Sequence, residues 1–422
     1  YIKKVDTFLL CLLLFYNFIL VIILLICYIK HEGEEIMKNV VLLRKEAFGG
    51  TLFNSTTGKR IYINKQEYKE LLTNNDLIYE FDIIDNKKKH EETKLKITEN
   101  KNSSCCNMFS FADTVYIELT RKCNLFCKHC LNNSGKKIDN ELTKNEVIDL
   151  INKLALEGVQ EIRFTGGEPL LFEGIYEIIS CAHNNGLRTS LGTNATLITK
   201  DAAHKLKKSG LNSAVVSLDG TREIHDSIRG KGNFDNAMRG LKCLIEANID
   251  VRVNSVIMKN NINEVIELAK TLNKSGIKLF IRQFVSTGRG KNLKDYSLSN
   301  NEYKCVKKQL TLELSENVQG HNLKNNNGTN SRIPLEFEIS SCRAGQRTMC
   351  ITPEGNIFPC GFLASQGFGA LGNIREVEFF CDFWFELFNK DILLNIRNEM
   401  KKYNETHEEK INCMAEYYGK MK

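Results

Sequence analysis

The central part of the chain alternates short apolar runs with longer amphipathic stretches. The short runs are typical of buried strands, and the longer stretches show the 3.6-residue period of helices. Strands are predicted at residues 115–120, 161–165, 188–193, 214–219, 250–257 and 278–285. Helices are predicted between them, at residues 143–157, 173–185, 199–209, 233–247 and 262–275.

This alternation predicts a parallel sheet, because a helix is the usual connection between parallel strands. Six repeated units favour an α/β fold of the partial (β/α)6 TIM-like barrel type. In barrels of this kind the chemistry lies at the carboxyl ends of the strands. A capping box formed by Thr143 and Glu146 marks the start of the first helix.

Shorter patterns flank the barrel. Extended stretches at 40–43, 51–54 and 61–63, followed by a helix at 65–72, predict a small α+β module. The polar, charged segment after it is interpreted as a linker. The resulting domains are residues 37–84 (module), 85–112 (linker), 113–290 (barrel), 291–335 (loop and helix connector) and 336–422 (a cysteine-bearing C-terminal extension).

Residues 1–36 stand apart from these domains. Residues 8–29 are almost wholly apolar and long enough to span a bilayer, and no small-residue cleavage site follows them. One hypothesis is a transmembrane helix. The other is translated upstream sequence ahead of a true start at Met37, because the chain begins with Tyr1 and residues 32–35 encode a purine tract just before Met37.

The composition fits a folded protein of two or three domains. The chain has 422 residues, of which 42% are hydrophobic and 26% charged. The net charge of +7 is modest and no basic stripe carries interleaved aromatics, so nucleic acid is not the expected partner. Fifteen cysteines in so long a chain indicate metal ligands in a reducing compartment and not a disulfide framework.

Three cysteines follow the first predicted strand at C-x3-C-x2-C spacing. Cys123, Cys127 and Cys130 are able to ligate three irons of a 4Fe–4S cubane and to leave the fourth iron open for a small molecule. Phe126, directly before the second cysteine, is expected to shield the cluster. A zinc site or unrelated thiols are the alternatives, although zinc usually takes two separated pairs of ligands.

This segment resembles the signature of the radical S-adenosylmethionine (SAM) superfamily, whose fold is a partial (β/α)6 barrel. The resemblance implies that the cluster donates one electron to the sulfonium of SAM. Homolysis then gives methionine and a 5′-deoxyadenosyl radical that abstracts a hydrogen atom. It also implies a reductant such as flavodoxin or ferredoxin. The hard chemistry belongs to the cofactors, and the protein positions and shields them.

A second motif, Gly166-Gly167-Glu168-Pro169, follows the second predicted strand. Two glycines permit close approach of the backbone to a ligand, and Glu168 or the local backbone can accept a hydrogen bond from an ammonium group. The motif resembles the one that holds the methionyl amine in this superfamily. After the sixth strand, the Gly-Arg-Gly sequence at 288–290 either covers the same site or is a plain loop.

Polar residues also end the third and fourth predicted strands. Ser217, Asp219 and Arg229 resemble the stretch in which related enzymes contact the ribose and carboxylate of SAM. An Asp-Gly pair at a strand end is also often just a turn. Thr193 and Asn194, at the end of the third strand, are expected to face the same site.

A second cysteine-bearing segment lies beyond the barrel. Cys342, Gly355 and Cys360 resemble the opening of the SPASM or twitch extension, which carries auxiliary 4Fe–4S clusters. Cys350 is a possible third ligand, and Cys413 is the only cysteine where a full SPASM domain has a dense group. The extension is therefore twitch-like with one cluster, or truncated. A zinc-bound or unmetallated hairpin is the alternative.

Enzymes with both parts often modify ribosomally made peptides or proteins, and the N-terminal module resembles their peptide-recognition domain. Such a domain would bind a leader peptide as an added strand, unless the module is an unrelated cap. The alternatives are a radical enzyme acting on a small molecule or tetrapyrrole, and a non-catalytic iron–sulfur electron-transfer or regulatory protein. Because the clusters need reduced thiols, the expected location is the cytoplasm, with or without an anchor in residues 1–36.

Overall fold

The architecture is that of a computed structural model. It describes residues 39–81, 83–84, 93–98, 109–314, 318–320, 342–378, 380, 383–384, 391–408, 411 and 413–421. The apolar segment at 8–29 and the possible start at Met37 lie outside these residues, as do Cys105, Cys106 and Cys381.

The N-terminal module is a four-stranded sheet with one helix. Its strands are β1 (Asn39–Glu46), β2 (Gly49–Asn54), β3 (Arg60–Asn64) and β4 (Thr93–Thr98), in the order β3-β2-β1-β4. The helix α1 (Lys65–Thr73) begins where it does because Asn64 and Glu67 form a capping box, and a 3-10 turn (Asn75–Tyr79) follows it. The linker interpretation of 85–112 is corrected, since β4 pairs parallel to β1 within that segment.

Six parallel strands form the barrel, as the sequence pattern predicts. They are β5 (Thr114–Glu118), β6 (Glu161–Thr165), β7 (Arg188–Thr193), β8 (Ser213–Ser217), β9 (Asp250–Ile257) and β10 (Lys278–Gln283). The helices between them are α2 (Lys144–Leu156), α3 (Ile175–Asn184), α4 (Lys200–Lys208), α5 (Arg222–Arg229), α6 (Asn233–Glu246) and α7 (Ile262–Lys274). The predicted capping box of Thr143 and Glu146 is present at the start of α2.

Buried aliphatic and aromatic side chains fill the space between the strands and the helices. Ile117, Phe164 and Leu191 belong to this core and are fully buried. Successive side chains of a strand point to opposite faces of the sheet. On each strand, the residues that alternate with these core residues therefore face the barrel lumen. The fold class predicted from the sequence is thus confirmed.

The C-terminal extension continues the barrel sheet beside β5. A helix α8 (Asn300–Leu314) and a short strand β11 (Val318–Gly320) follow β10. Next come β12 (Thr348–Ile351), parallel to β5, and β13 (Asn356–Phe358), antiparallel to β12. The remaining elements are α9 (Gly361–Ser365), β14 (Gly372–Asn373), α10 (Asp391–Thr406) and α11 (Met414–Met421).

A buried carboxylate joins the module, the barrel and the extension. Asp113, which immediately precedes β5, contacts Arg44 of β1 at 2.6 Å and Arg347 of the extension at 2.5 Å. Arg60 of β3 lies 3.8 Å from the same carboxylate. Burial alone would raise the pKa of Asp113, but Arg347, Arg60 and Arg44 hold it well below its usual range. Three parts of the chain therefore share one ionic centre.

Further contacts show which end of the barrel the module occupies. Arg60 donates to Gln160, which immediately precedes β6, at 2.6 Å. Arg188, the first residue of β7, donates to the backbone carbonyls of Ser55 and Thr56. All the barrel residues in these contacts stand at the amino ends of their strands. The module therefore lies at the end of the barrel opposite to the carboxyl ends of the strands.

The predicted membrane anchor is corrected. Among the helices of the described residues, none is both long and apolar enough to cross a bilayer. The anchored alternative, one of the two that the sequence left open, is corrected on this finding, which covers the described residues only.

Candidate functional site

The three cysteines of the C-x3-C-x2-C motif lie on the loop after β5. Cys127 is buried, and Cys123 and Cys130 are half-buried. The backbone N–H groups of Leu125 and Ser134 point at the sulfurs of Cys123 and Cys130, at 3.5 and 3.4 Å. Backbone donors of this kind stabilise thiolates. Residues 121–135 are called the cysteine loop. Its backbone thus directs N–H groups at two of its three sulfur atoms.

The thiols of the cysteine loop are held in a dehydrated setting. Burial raises the pKa of Cys123 to about 11, and Cys127 and Cys130 add to this rise because they lie nearby. Burial also raises the pKa of Cys127. A site of this kind favours neutral thiols without metal and releases protons when a metal group binds. Three adjacent, free thiols therefore form a donor set that fits a cubane with one open iron.

The Gly-Gly turn after β6 packs directly under the cysteine loop. The Gly167 N–H donates to the Thr120 carbonyl at 2.6 Å, and the Glu168 N–H donates to the Lys122 carbonyl at 2.9 Å. A Cβ at Gly166 would stand 2.6 Å from the Thr120 carbonyl oxygen, and Gly167 is approached still more closely by Lys122. Only glycines allow this approach, so the turn fixes the loop as well as bordering the site.

Glu168 links this turn to the end of β7. Its fully buried carboxylate accepts hydrogen bonds from the Thr193 hydroxyl at 2.8 Å, the Asn194 N–H at 2.9 Å and the Leu170 N–H at 3.3 Å. Burial raises the pKa of Glu168 to about 7 despite these donors. Pro169 follows at the first position of a 3-10 turn (Pro169–Leu171) and fixes the exit. The structure thus brings the second motif and the end of β7 together.

Asn194 reaches from the end of β7 to the cysteine loop. Its amide nitrogen donates to Asn124 at 2.9 Å and lies 3.9 Å from the sulfur of Cys123. Ser217, the last residue of β8, is half-buried and pairs in register with Asn254 of β9. The predicted residues Asn194 and Ser217 therefore stand at the carboxyl ends of neighbouring strands, as expected for this barrel type.

Asp219 has a different environment from the one expected. Its fully buried carboxylate bonds to His129 of the cysteine loop at 2.7 Å, to Arg229 at 2.6 Å and to the Val256 N–H at 2.9 Å. Burial alone would raise its pKa, but Arg229 and His129 hold it well below its usual range. Asp219 thus contacts the cysteine loop through His129, and Arg229 contacts Asp219. The predicted contact of Asp219 and Arg229 with SAM stays a prediction.

The Gly-Arg-Gly loop after β10 also packs on the cysteine loop. Arg289 donates to the Cys127 carbonyl at 2.9 Å and to the Ser134 carbonyl at 2.6 Å. Gly288 has a φ of 56°, and a Cβ there would fall well inside contact distance of the Cys130 carbonyl oxygen. Of the two interpretations left open by the sequence, the covering loop is the one that the contacts support.

Phe126 lies on the outside of the cysteine loop. Its side chain is 73% exposed, and its ring lies under the guanidinium of Arg289 at 3.8 Å. The shielding of a cluster, expected from its position before Cys127, stays a prediction. His129 takes the buried position instead, directly before the third cysteine.

Arginines line the lumen below this site. Leu279 and Ile281 of β10 are buried in the core, so Phe280 and Arg282 face the lumen. Arg163 of β6 pairs with Glu161, and Arg252 of β9 pairs with Asp250.

Arg282 differs from the other lumen arginines in its partners. It donates to Asn254 at 2.9 Å and lies 5.9 Å from the Phe362 ring of α9. Within the described part of the chain, no carboxylate stands at ion-pair distance from Arg282. Its position near the strand ends and its charge make it a candidate contact for an anionic group of a substrate.

The cysteines of the extension converge from distant positions. Burial, with a smaller effect from the nearby thiols of Cys342 and Cys413, raises the pKa of Cys360 to about 12. Burial similarly raises the pKa of Cys413 to about 11, and Cys342 adds to it. Cys350 is fully buried on β12, beside Cys360 and Glu118. No described set of three His, Cys, Asp or Glu side chains is spaced for a single metal ion.

Comparison with known proteins identifies the family. The sequence profile described as Radical SAM superfamily matches residues 117–272, from the end of β5 into α7. The Fe-coproporphyrin III synthase of Methanosarcina barkeri is 38% identical over 304 residues, which cover 66% of this chain and 75% of that protein. The chain belongs to the radical SAM superfamily. It is a radical SAM enzyme, and members of this superfamily bind a 4Fe–4S cluster and SAM.

Two further radical SAM proteins are similar over much of the chain. The mycofactocin maturase MftC of Mycolicibacterium smegmatis is 30% identical over 270 residues, covering 63% of this chain and 68% of MftC. The crystal structure of Streptococcus suis SuiB bound to precursor peptide SuiA matches with a TM-score of 0.65 at 21% identity, over 82% of this chain and 87% of SuiB. The SuiB likeness shows the shared fold.

Two residues of this radical SAM site were missed or left undecided by the sequence. His129 carried a signal, because it is the one histidine within the cysteine motif, but its partner Asp219 is 90 residues away. Arg289 carried the signal of flanking glycines. Its contacts, however, depend on how β10 is placed beside the loop after β5, which the local sequence does not specify.

Proposed function

We propose that this radical SAM enzyme modifies a ribosomally made peptide or protein. The observation that carries the proposal is the open edge of the N-terminal sheet. β3 is the outermost strand of that sheet, and in the described residues it pairs only with β2. An extended peptide adds to such an edge through main-chain hydrogen bonds. The maturase name of MftC and the precursor peptide bound to SuiB support a peptide substrate.

The module that offers this edge is held in a fixed place. Arg44 and Arg60 tie β1 and β3 to Asp113 at the start of the barrel. Breaking such a buried ionic centre costs several kcal/mol, because a charge is left unpaired. A leader peptide bound to β3 is therefore anchored at a defined position relative to the strand ends.

In this proposal Cys123, Cys127 and Cys130 hold the 4Fe–4S cluster, and the turn at 166–168 with Ser217 binds SAM. Bound together, these cofactors supply the radical that removes a hydrogen atom from the substrate. The chain itself supplies placement. The carboxylate of Glu168 accepts three hydrogen bonds and has about one lone-pair site left for a fourth, which suits the ammonium group of SAM.

Two side chains from the barrel fix the cysteine loop from opposite directions. Asp219, at the end of β8, holds His129 between the second and third cysteines. Arg289, after β10, holds the backbone at Cys127. These residues act as positioning residues, because they orient the loop that presents the sulfur atoms.

We infer that the extension holds one auxiliary 4Fe–4S cluster through Cys342, Cys360 and Cys413, with Cys350 as a candidate fourth ligand. The proximity of the first three thiols supports this assignment. Cys350 is deeply buried beside Cys360, so it reaches the same centre only from the β12 side. Cys413 is the one cysteine of this set that lies in the region where a full SPASM domain has its dense cysteine group, so the extension is either twitch-like or truncated.

A tetrapyrrole is the second candidate substrate. The Fe-coproporphyrin III synthase is 38% identical to this chain. Arg282 faces the lumen without a carboxylate partner in the described residues, and a guanidinium binds carboxylates well. The third hypothesis, a non-catalytic iron–sulfur protein, finds no support, since the chain is a radical SAM enzyme.

The test uses anaerobically reconstituted full-length protein with dithionite. It should convert SAM to methionine and 5′-deoxyadenosine and contain about two cubanes per chain. Peptides encoded by short reading frames beside its gene are then added, and their masses are followed. A parallel arm receives an iron tetrapyrrole precursor in place of the peptides, and formation of Fe-coproporphyrin III, the product that the relative's name states, would favour the second candidate.

Matched cysteine variants test the assignments. Cys127→Ala should abolish SAM cleavage, because two cysteines do not hold the open-iron cluster. Cys181→Ala, on the outer helix α3, is the control and should leave cleavage unchanged. The double variant Cys342→Ala/Cys360→Ala should lose one cubane and keep the other. Undiminished cleavage by Cys127→Ala would contradict the cluster assignment.

A further inference from the structure

The upper part of the barrel lumen is accessible to solvent. Near the carboxyl ends of five neighbouring strands, the lumen-facing residue is only half-buried, whereas the core residue directly before it is buried. These half-buried residues are called the upper lumen layer, and they are Thr165, Gly192, Ser217, Asn254 and Arg282. Because they point into the barrel, their exposed surface borders the lumen. The layer therefore surrounds a space that a ligand is able to enter.

Small polar groups form most of the upper lumen layer. Thr165, Ser217 and Asn254 carry hydroxyl or amide groups, and Gly192 of β7 contributes no side chain. The heavy atom nearest to a Cβ at Gly192 would be 3.5 Å away, at ordinary contact distance. Packing therefore does not require a glycine there, and its effect is to leave space in the lumen. A space with such walls suits a polar ligand group, because buried polar groups need hydrogen-bond partners.

Arg282 brings the single positive charge of the upper lumen layer. Its Nε donates to the side-chain oxygen of Asn254 at 2.9 Å, and this contact fixes the guanidinium beside β9. The Phe362 ring of the extension lies 5.9 Å from the same group. Among the described residues, the two Nη groups have no hydrogen-bond partner. The paired donors that bind a carboxylate side by side are therefore left for a ligand.

Other arginines of the lumen are neutralised by the barrel itself. Arg163 lies 3.0 Å from Glu161, and Arg252 lies 3.4 Å from Asp250. Arg282 departs from this pattern, because no carboxylate in the described part of the chain pairs with it. A charge that is withdrawn from water is stabilised by an opposite charge. A negatively charged ligand group would supply the partner that the barrel does not.

The carboxylate of SAM is not the expected partner of Arg282. In the proposed function the amine of SAM binds at Glu168, after β6, and the carboxylate of SAM is attached to the same carbon as that amine. β10 is the fourth strand from β6 in the sheet order, which at about 4.8 Å per strand is roughly 19 Å along the sheet. The substrate is therefore the expected source of the negative charge.

We propose that Arg282 and Asn254 form a carboxylate subsite that holds an acidic group of the substrate peptide. This inference rests on the proposed function and adds the chemistry of its substrate. The peptide carries a carboxylate close to the residue that is modified, from an Asp or Glu side chain or from its C-terminus. That carboxylate accepts hydrogen bonds from both Nη groups, while Asn254 keeps the guanidinium in place. Arg282 is thus a residue that determines specificity.

The experiment uses the peptide that the screen of short reading frames identifies as a substrate. Each Asp or Glu of this peptide is replaced in turn by Asn or Gln, and a further version carries a C-terminal amide. KM and kcat for modification are measured with the parent holoenzyme, Arg282→Gln and Arg282→Lys. Arg239→Gln, at an exposed position of α6, is the matched control with the same loss of charge. Anaerobic equilibrium dialysis gives the SAM affinity of each protein.

Arg282→Gln should raise KM for the unaltered peptide by about tenfold or more, because hydrogen bonds between charged groups are lost. Arg282→Lys should recover part of this loss, since it keeps the charge without the paired donors. One neutralised peptide should show the same rise in KM with the parent enzyme and no further rise with Arg282→Gln, because both changes remove one contact. SAM affinity should stay unchanged, as should every property of the control variant.

Two results would overturn the subsite. One is an equal KM for all the neutralised peptides, or a rise that adds fully to that of Arg282→Gln, since either would leave no contact between the guanidinium and a peptide carboxylate. The other is weaker SAM binding by Arg282→Gln with an unchanged KM for the peptide, which would assign the guanidinium to SAM. A parent enzyme that modifies no peptide would refute the proposed function itself, and this inference would fall with it.

Discussion

At the scale of single residues, Glu168 combines full burial with an ionisable group. Because its folded-state pKa of about 7 lies above the ordinary 4.5, its contribution to stability is complete below about pH 4.5. That contribution is lost as the pH rises through about 7. The carboxylate form, which an ammonium group would require, is therefore only about half populated in the free enzyme at pH 7.

This linkage predicts a pH dependence of SAM binding. Below about pH 7 the affinity should fall by up to about tenfold per unit, because a proton must leave Glu168 before the ammonium binds. Above about pH 8 it should fall again as the amine of SAM loses its own proton. Anaerobic equilibrium dialysis with the reconstituted protein measures both limbs. Glu168→Gln should bind SAM more weakly, and its affinity should no longer fall below about pH 7, while the fall above about pH 8 should remain. A fall in affinity below about pH 7 in this variant would contradict the role of Glu168.

The role of a single residue could be predicted where it depends on neighbours in the sequence, and not where it depends on a partner from a distant segment. Cys123, Cys127 and Cys130 form a motif whose spacing alone suggests a cluster, and their assignment as ligands stays a prediction. His129 lies within the same motif, but its role requires Asp219 from another strand. Phe126 was expected to shield the cluster because it is aromatic, and its contact with Arg289 was not predictable because Arg289 comes from the loop after β10.

At the scale of elements, the 3-10 segment Gly288–Tyr296 after β10 shows how a loop is held by backbone shape. Gly288 adopts a φ of 56° and approaches Cys130 so closely that no side chain fits. Gly276, between α7 and β10, has a similar φ of 67° but nothing within 4 Å of a Cβ position. A comparison of the two positions therefore distinguishes the effect of backbone strain from the effect of the close contact with the cysteine loop.

Replacing each glycine by alanine should reveal the contact with the cysteine loop. Both variants pay the cost of a left-handed backbone, about 1 kcal/mol. Only Gly288→Ala should also push the segment off the loop, so it should lose iron faster during gel filtration and show altered electron paramagnetic resonance of its reduced cluster. Equal iron retention by Gly288→Ala and Gly276→Ala would show that the contact does not support the cluster.

The barrel elements were predictable because their periodicity is local. Each strand of the barrel is a short apolar run, and each helix repeats its apolar positions every three to four residues. β4 was missed because its six residues are mostly polar and because β1, its one partner among the described residues, lies about fifty residues earlier in the chain. The position of the module against Asp113 was equally out of reach, since it depends on arginines from three separate segments.

At the scale of the whole molecule, the module and the cysteine loop occupy opposite ends of the barrel. Asp113, Gln160 and Arg188 place the module at the amino ends of β5, β6 and β7. The cysteine loop and the turn after β6 stand at the carboxyl ends. Each of these strands has five or six residues, which at about 3.3 Å per residue separates the two ends by roughly 20 Å.

For a peptide held on β3, the distance between the two ends of the barrel would therefore set a minimum length for the segment between the leader and the modified residue. Its segment between the leader and the residue to be modified must run outside the strands and over the helices, a path on the order of ten extended residues or more. Peptides with progressively shorter spacers should keep their affinity for the module and abruptly lose modification, as binding and mass measurements on the same series would reveal. Modification that continues with a spacer of about two residues would mean that the leader binds elsewhere. In the proposed function, the enzyme would therefore select its target by distance from the leader, and identical side chains nearer to the leader would escape the radical.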